Sequence, residues 1–266
     1  MDFWSSFNPL FSVSGFFVGM LVGVTGVGGG SLMTPLLVLL FGIHPVTAVG
    51  TDLLYAAITK TAGTAVHGRN KTIDWRIVGR LAAGSLPAAT VTLWLVSGID
   101  RNSITAVATI TITLGYTLML TALLLIFRRR VIEWIRHKMR NRRPVSPATV
   151  ALLTMVLGLT IGVLVTLTSV GAGALGVTVL LALYPRLHVR DIVGSDIVHA
   201  VPLTLLAGMG YWAIGEVEWA MLAMLLVGSI PGIIIGSHLS PRLPERLIST
   251  LLAITLALVG TKLVFS

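Results

Sequence analysis

The chain has 266 residues, 55% of them hydrophobic and 11% charged, with a mean hydropathy of +0.93. Soluble domains carry roughly 25% charged residues, so an ordinary water-soluble globule is excluded and the chain reads as an all-α integral membrane protein. The net charge of +9 does not point to a nucleic-acid partner, because eight of the 19 Lys and Arg lie in one run, RRRVIEWIRHKMRNRR at 128–143.

The N-terminal MDFWSSFNPLF has an acidic residue and no cationic stretch, so no secretory signal is expected there. Apolar segments at 10–27 and 31–43 follow, broken by Gly23-Val-Thr-Gly-Val-Gly-Gly-Gly-Ser31 into a hairpin. Helices are predicted at 46–67, 81–98 and 104–127. The last has no charge and exceeds the ~20 apolar residues that a spanning helix needs. The basic run at 128–143 comes next; such a cluster beside a membrane helix marks a cytoplasmic loop and can also hold anionic lipid. A second hairpin, 148–168 and 174–184, turns through Ser169-Val-Gly-Ala-Gly173, and helices are predicted at 192–213, 219–239 and 247–265. An arm such as 174–184 rises only ~16 Å at 1.5 Å per residue, against a ~30 Å hydrocarbon core, so the hairpins either span or re-enter and about eight to ten membrane segments result.

The two series are copies of one another. Gly15-Phe-Phe-Val-Gly19 matches Gly158-Leu-Thr-Ile-Gly162, and Thr25-Gly-Val-Gly-Gly-Gly30 matches Thr168-Ser-Val-Gly-Ala-Gly173, both at an offset of 143. After one inserted residue the offset becomes 144, where Val49-Gly-Thr-Asp52 meets Val193-Gly-Ser-Asp196, Asp74-Trp75 meets Glu218-Trp219, and Gly84-Ser-Leu-Pro87 meets Gly228-Ser-Ile-Pro231. The chain therefore divides into a first membrane repeat (1–127), a basic cytoplasmic linker (128–146) and a second membrane repeat (147–266). Each repeat is a Gly-broken helical hairpin followed by three transmembrane helices.

Equivalent loops carry opposite charge. HGRNKTIDWRIVGR holds Arg69, Lys71, Arg76 and Arg80, whereas its counterpart YWAIGEVEW has Glu216 and Glu218 and no base; the neutral FGIHPVT corresponds to YPRLHVR. Cytoplasmic loops are enriched in Lys and Arg, so equivalent loops face opposite sides and the repeats are expected to have inverted topology, a common plan in secondary transporters. The expected location is the cell inner membrane, multi-pass, with both termini outside and 128–143 cytoplasmic.

Candidate site residues cluster at the two glycine-rich breaks. Irregular backbone is tolerated at membrane depth only where it is buried in protein or lines a wet cavity, and a restarting helix presents N–H groups and the positive end of its dipole to anions. Thr25, Gly28, Gly29, Gly30 and Ser31, with Thr34 beyond, form the first such set; Thr168, Ser169, Gly171 and Gly173, with Thr166, form the second. The competing reading is a close helix–helix contact through small residues. A nucleotide loop is excluded, since no Gly-Lys-Ser/Thr ending follows. Asp52 and Asp196, preceded by Thr51 and Ser195, are ionisable groups in membrane segments and hence functional candidates; alternatively they cap helix N-termini. Lys60 either balances an anion's charge or snorkels toward the cytoplasm. His199 either carries protons or is a hydrogen-bonded core histidine. His44 and His188 lie at loop ends, and Pro87 and Pro231 are expected to kink their helices. With no cysteine and no HExxH spacing, no metal or other cofactor is expected.

The stretches GVTGVGGGSLMTPLL, AVGTDLLYAAITKTAGTAVHGRNKTIDWRIVGRLAAGSLPAA, VGAGALGVTVL and VGSDIVHAVPL resemble the sulfite exporter TauE/SafE family over nearly the whole chain. That resemblance implies a two-repeat permease for small sulfur-containing anions such as sulfite or organosulfonates. It implies a small anionic substrate and leaves a homo-oligomer open. Membrane lipid is the other expected partner. No enzymatic activity is expected, because of the His, Cys and carboxylates only Asp52 and Asp196 come close to a cluster, and inversion places them toward opposite faces. A cytoplasm-negative potential favours anion exit by about 2.3 kcal/mol per charge per 100 mV, which points to export. A proton-coupled importer of another small anion, a channel and a membrane assembly factor are the alternatives.

Overall fold

A computed structural model of the chain describes residues 9–25, 30–69, 72–98, 104–140, 146–170, 172–239 and 245–265. Among these it forms ten helices and no strand: α1 (Pro9–Thr25), α2 (Gly30–Phe41), α3 (Pro45–Arg69), α4 (Trp75–Ser97), α5 (Ile104–Arg140), α6 (Pro147–Thr168), α7 (Ala172–Leu183), α8 (Val189–Ala213), α9 (Trp219–Leu239) and α10 (Glu245–Phe265). By length and composition, Ala108–Phe127, Pro147–Thr168, Val189–Ala213 and Trp219–Gly236 can each cross a membrane. The 12-residue α2 and α7 rise only ~18 Å each, short of a ~30 Å hydrocarbon core.

Local chemistry sets the helix ends. Asp74 caps α4, its carboxylate accepting from the N–H of Arg76 at 2.9 Å and of Ile77 at 3.4 Å. Ser146 caps α6 by accepting from Thr149 N–H at 3.2 Å, with Pro147 occupying the first helical position, where its missing N–H is not needed. Ser169 ends α6 in the left-handed region at φ 58°, a conformation usually left to glycine.

Two expected boundaries differ. α4 starts at Trp75 rather than 81, because the Asp74 cap fixes the start and the basic residues fit within the helix: Arg76 faces out and Arg80 donates to Tyr184 Oη at 3.0 Å. α5 does not stop at 127 but continues to Arg140. Arg, Lys and Glu are good helix formers and the run contains no Gly or Pro to end it. At 37 residues α5 rises ~55 Å, so its basic end projects beyond a ~30 Å hydrocarbon core.

Helices α3 and α8 run through the centre against each other, with residues 51–57 and 194–200 buried on every face. Around them, α1 packs on α9, α4 on α6 and α5 on α10. Glycine makes the outer pairs close. A Cβ on Gly15 or Gly19 of α1 would strike the backbone of Leu225 or Ser229 in α9; at the equivalent places, Gly158 and Gly162 of α6 meet Leu81 and Ser85 of α4. Small residues let membrane helices approach in this way. The outward faces stay apolar, as at Phe17, Trp94, Leu152, Val227 and Leu258, which suits lipid contact. Trp75 and Trp219, both exposed, open α4 and α9 at equivalent points, the residue type favoured at membrane interfaces.

Candidate functional site

The predicted residues are placed unevenly. Gly28, Gly29 and Gly171 lie outside the described residues, as do the side chains of Thr25 and Ser31; Gly30 opens α2, and Gly173 is half-buried near the start of α7. The hydroxyls of Thr166 and Thr168 donate to their own helix carbonyls, Gly162 O at 2.7 Å and Leu164 O at 2.6 Å, which occupies their donors. Thr168 Oγ1 also accepts from Val170 N–H at 3.2 Å, holding the turn after α6. Ser169 differs: it is buried, and its hydroxyl closes no hydrogen bond among the described residues.

Thr51 and Ser195 reach across to the opposite half. Thr51 Oγ1 accepts from Glu218 N–H at 3.1 Å, and Ser195 Oγ accepts from Asp74 N–H at 2.8 Å. These are the same bond made twice, since Asp74 and Glu218 are themselves equivalent. Nearby, Thr47 donates to Glu216 Oε2 at 2.6 Å. The two hydroxyls thus pin the loop before α4 and the loop before α9 to the central helices.

Asp52 and Asp196 do not cap helices. α3 begins at Pro45 and α8 at Val189, which places both aspartates about two turns inside, at 0% and 3% exposure. Carboxylates at such depth need partners, and the two find different ones. Asp52 Oδ2 accepts from Thr34 N–H at 3.1 Å and from Thr34 Oγ1 at 2.5 Å. The first turns of α2, read above as an anion site, therefore already hold the protein's own carboxylate. The Ser169 hydroxyl faces the same group, although Asp52 Oδ1 and Ser169 Oγ are left without a well-formed bond among the described residues. At the place corresponding to Thr34, α7 has Val177, which offers no hydroxyl. Asp196 Oδ1 instead lies against Gly176, where a Cβ would collide with it, and has no hydrogen-bond donor among the described residues.

Lys60 brings the opposite charge to this cluster. Its side chain is only 9% exposed, so the snorkelling reading is corrected: a lysine held toward lipid or the cytoplasm would not be enclosed by its own bundle. It lies within electrostatic reach of Asp196 first and Asp52 second. His199 is buried beside it, with Nε2 2.7 Å from Ser85 Oγ and Nδ1 unpartnered among the described residues. The counterpart of His199 is Tyr55, and the counterpart of Ser85 is Ser229. Accordingly Tyr55 Oη donates to Ser229 Oγ at 2.7 Å. The sequence reading missed Tyr55, Ser85, Ser229 and Gly176 as neighbours of this cluster. The 144-residue offset was the available signal for the first three, because it pairs Tyr55 with His199 and Ser85 with Ser229.

The result is a buried polar cluster between α2, α3, α7 and α8, built around one ammonium and two carboxylates. Among the described residues no group of three His, Cys, Asp or Glu side chains could hold a metal ion. Chemically, the cluster can present a positive charge and hydroxyls to a small anion. Its carboxylates can also exchange protons.

Comparison with known proteins agrees in kind. The family model described as sulfite exporter TauE/SafE matches residues 11–263. The chain is similar to the probable membrane transporter protein YjnA of Bacillus subtilis (strain 168), 41% identical over 94% of this chain and 97% of the relative. It is also similar to the probable membrane transporter protein YdhB of the same organism, 29% identical over the same shares, and to a probable membrane transporter protein of Xylella fastidiosa (strain Temecula1), 25% identical over 86% of this chain and 84% of the relative. No solved structure matches significantly. An apolar helical chain, built twice over and enclosing one charged cluster, matched by this family model over nearly its whole length, belongs to the TauE/SafE sulfite exporter family of membrane transporters.

Proposed function

We propose that the protein is a secondary transporter, not an enzyme, that exports a small sulfur-containing anion such as sulfite or an organosulfonate. It works by alternating access between two inverted halves in the cell inner membrane, with both termini outside. The observation that carries this reading is the enclosed ammonium of Lys60 in a cluster with polar atoms that close no well-formed hydrogen bond among the described residues, Ser169 Oγ and His199 Nδ1 among them. A buried charge is costly and marks function by default, and a small oxyanion is the ligand that this cation and these donors would attract. Inversion is supported by the reciprocal packing: α1 on α9 and α4 on α6, with equivalent glycines at both contacts. The mirrored pinning of Thr51 and Ser195 supports it too, since one pin can open while its twin stays closed. The family's name supports the sulfur-anion class, and membrane potential supports the outward direction. The two carboxylates beside Lys60 favour a second reading, a proton-coupled importer of another small anion.

The test is flux in proteoliposomes over a panel of sulfite, thiosulfate, sulfoacetate and sulfate. At least one is expected to move saturably, and Lys60→Gln is expected to reduce that flux at least about tenfold, since each 1.4 kcal/mol of lost anion binding is a factor of ten. Failure of every anion in the panel to move would refute the sulfur-anion reading.

A further inference from the structure

We propose that Asp52, Lys60 and Asp196 form a proton-binding site that loads with the transported anion. The inference rests on the transporter reading above and adds the coupling ion to it. Its basis is charge and geometry. With both carboxylates ionised and Lys60 protonated, the cluster carries one negative charge in excess, enclosed in the centre of a membrane protein. Such an excess is neutralised rather than tolerated. A proton on Asp52 neutralises it at rest: Oδ2 keeps both Thr34 donors, while Oδ1, buried and with no well-formed donor among the described residues, is the oxygen that can carry hydrogen toward Ser169. The remaining charges, Asp196 and Lys60, then balance.

An anion arriving at Lys60 takes over the ammonium that Asp196 was using. Among the described residues Asp196 has no hydroxyl to fall back on, because Val177 stands where α2 has Thr34. Its Oδ1, lying in the space left by Gly176, accepts a proton from the aqueous side to which the site is open. One new O–H bond, on Asp196, forms for each anion bound, and the same proton leaves with the anion on the far side. Among the described residues, the other titratable groups near the cluster are Tyr55, which donates to Ser229, and His199, which shares a hydrogen bond with Ser85. Helices α2, α6 and α7 carry no titratable side chain, and α4 and α9 face the cluster with the hydroxyls of Ser85 and Ser229. For a monovalent anion this coupling is electroneutral, and the anion and proton gradients together set the direction; a divalent anion still crosses with one net negative charge, whose exit the membrane potential favours.

The experiment uses full-length protein in proteoliposomes with a pH-sensitive dye in the lumen. The probes are thiosulfate, sulfate and sulfoacetate, which stay ionised near neutral pH and carry no protons of their own. An inward anion gradient is expected to acidify the lumen in step with anion entry. In Asp196→Asn the protons moved per anion should fall at least tenfold. Anion entry without acidification in the wild type, or an unchanged ratio in Asp196→Asn, overturns the proton site and leaves the transporter reading standing. If neither these probes nor sulfite move, the sulfur-anion reading fails, and infrared spectroscopy decides the proton site separately. The resting protein should show a protonated buried carboxyl at neutral pH that is absent in Asp52→Asn. Added thiosulfate should raise a second such signal in the wild type and not in Asp196→Asn. Absence of the resting signal in the wild type would overturn the proposal without any variant having to fold.

Discussion

Asp52 and Asp196 occupy the same place in two copies of one sequence and keep different company. Asp52 is held by neutral donors from Thr34, Asp196 by the charge of Lys60, whose own counterpart is the uncharged Thr204. The two should therefore respond differently to loss of their partner. Lys60→Met leaves Asp196 without its opposing charge, so that it must take up a proton, and is expected to destabilise by about 1–3 kcal/mol, the penalty of a buried polar group left unpaired. Lys60→Met combined with Asp196→Leu should recover most of that loss. Thermal unfolding in detergent measures both, and a double variant no more stable than the single would show that Lys60 and Asp196 are not paired. Thr34→Val, which copies the residue already present at 177, removes one hydroxyl bond and should cost only about 1 kcal/mol, in line with side-chain hydrogen bonds in membrane proteins. The sequence shows that these residues are ionisable and membrane-embedded. It does not show which way Lys60 points, because α3 is apolar or small on most sides and helical phase alone does not distinguish inside from outside.

At the level of the elements, glycine spacing decides how close the outer helices come. Gly15, Gly19, Gly158 and Gly162 each admit a neighbouring backbone where a side chain would collide. Gly158→Leu is therefore expected to weaken the α4–α6 contact by at least about 1–3 kcal/mol, the range for overpacking. Gly79 has nothing within 4 Å of an added Cβ, so Gly79→Ala should be neutral or slightly stabilising through helix propensity. Unfolding midpoints of the two variants compared with wild type check this, and equal effects would contradict the packing described. The hairpins, α3 and α6 through α10 were legible in the sequence because hydropathy, glycine and proline act locally along the chain. The start of α4 was misread because four cations looked like loop, whereas Asp74 caps a helix that simply carries two of them, Arg76 and Arg80. The end of α5 was misread because loss of hydropathy was taken as loss of helix.

For the whole molecule, the same contacts recur with the halves exchanged, and the inverted reading turns that into a statement about sides of the membrane. Reporter fusions at Asn141 and Gly215 are expected to label opposite faces, Asn141 the cytoplasmic one; the same face for both would exclude inversion. By itself the sequence determined the membrane class, the duplication, the family and most helix positions. Each of these follows from composition or from the order of residues along the chain. Only the tertiary structure decided that Lys60 turns inward to Asp196, that Asp52 occupies the start of α2, and that Thr51 and Ser195 serve the opposite half. Those outcomes depend on the rotation of buried helices and on contacts between residues such as Ser85 and His199 or Tyr55 and Ser229, 114 and 174 positions apart. Local pattern carries no information about which distant polar groups will share a low-dielectric interior, yet that choice is what places a charge at the centre of this protein.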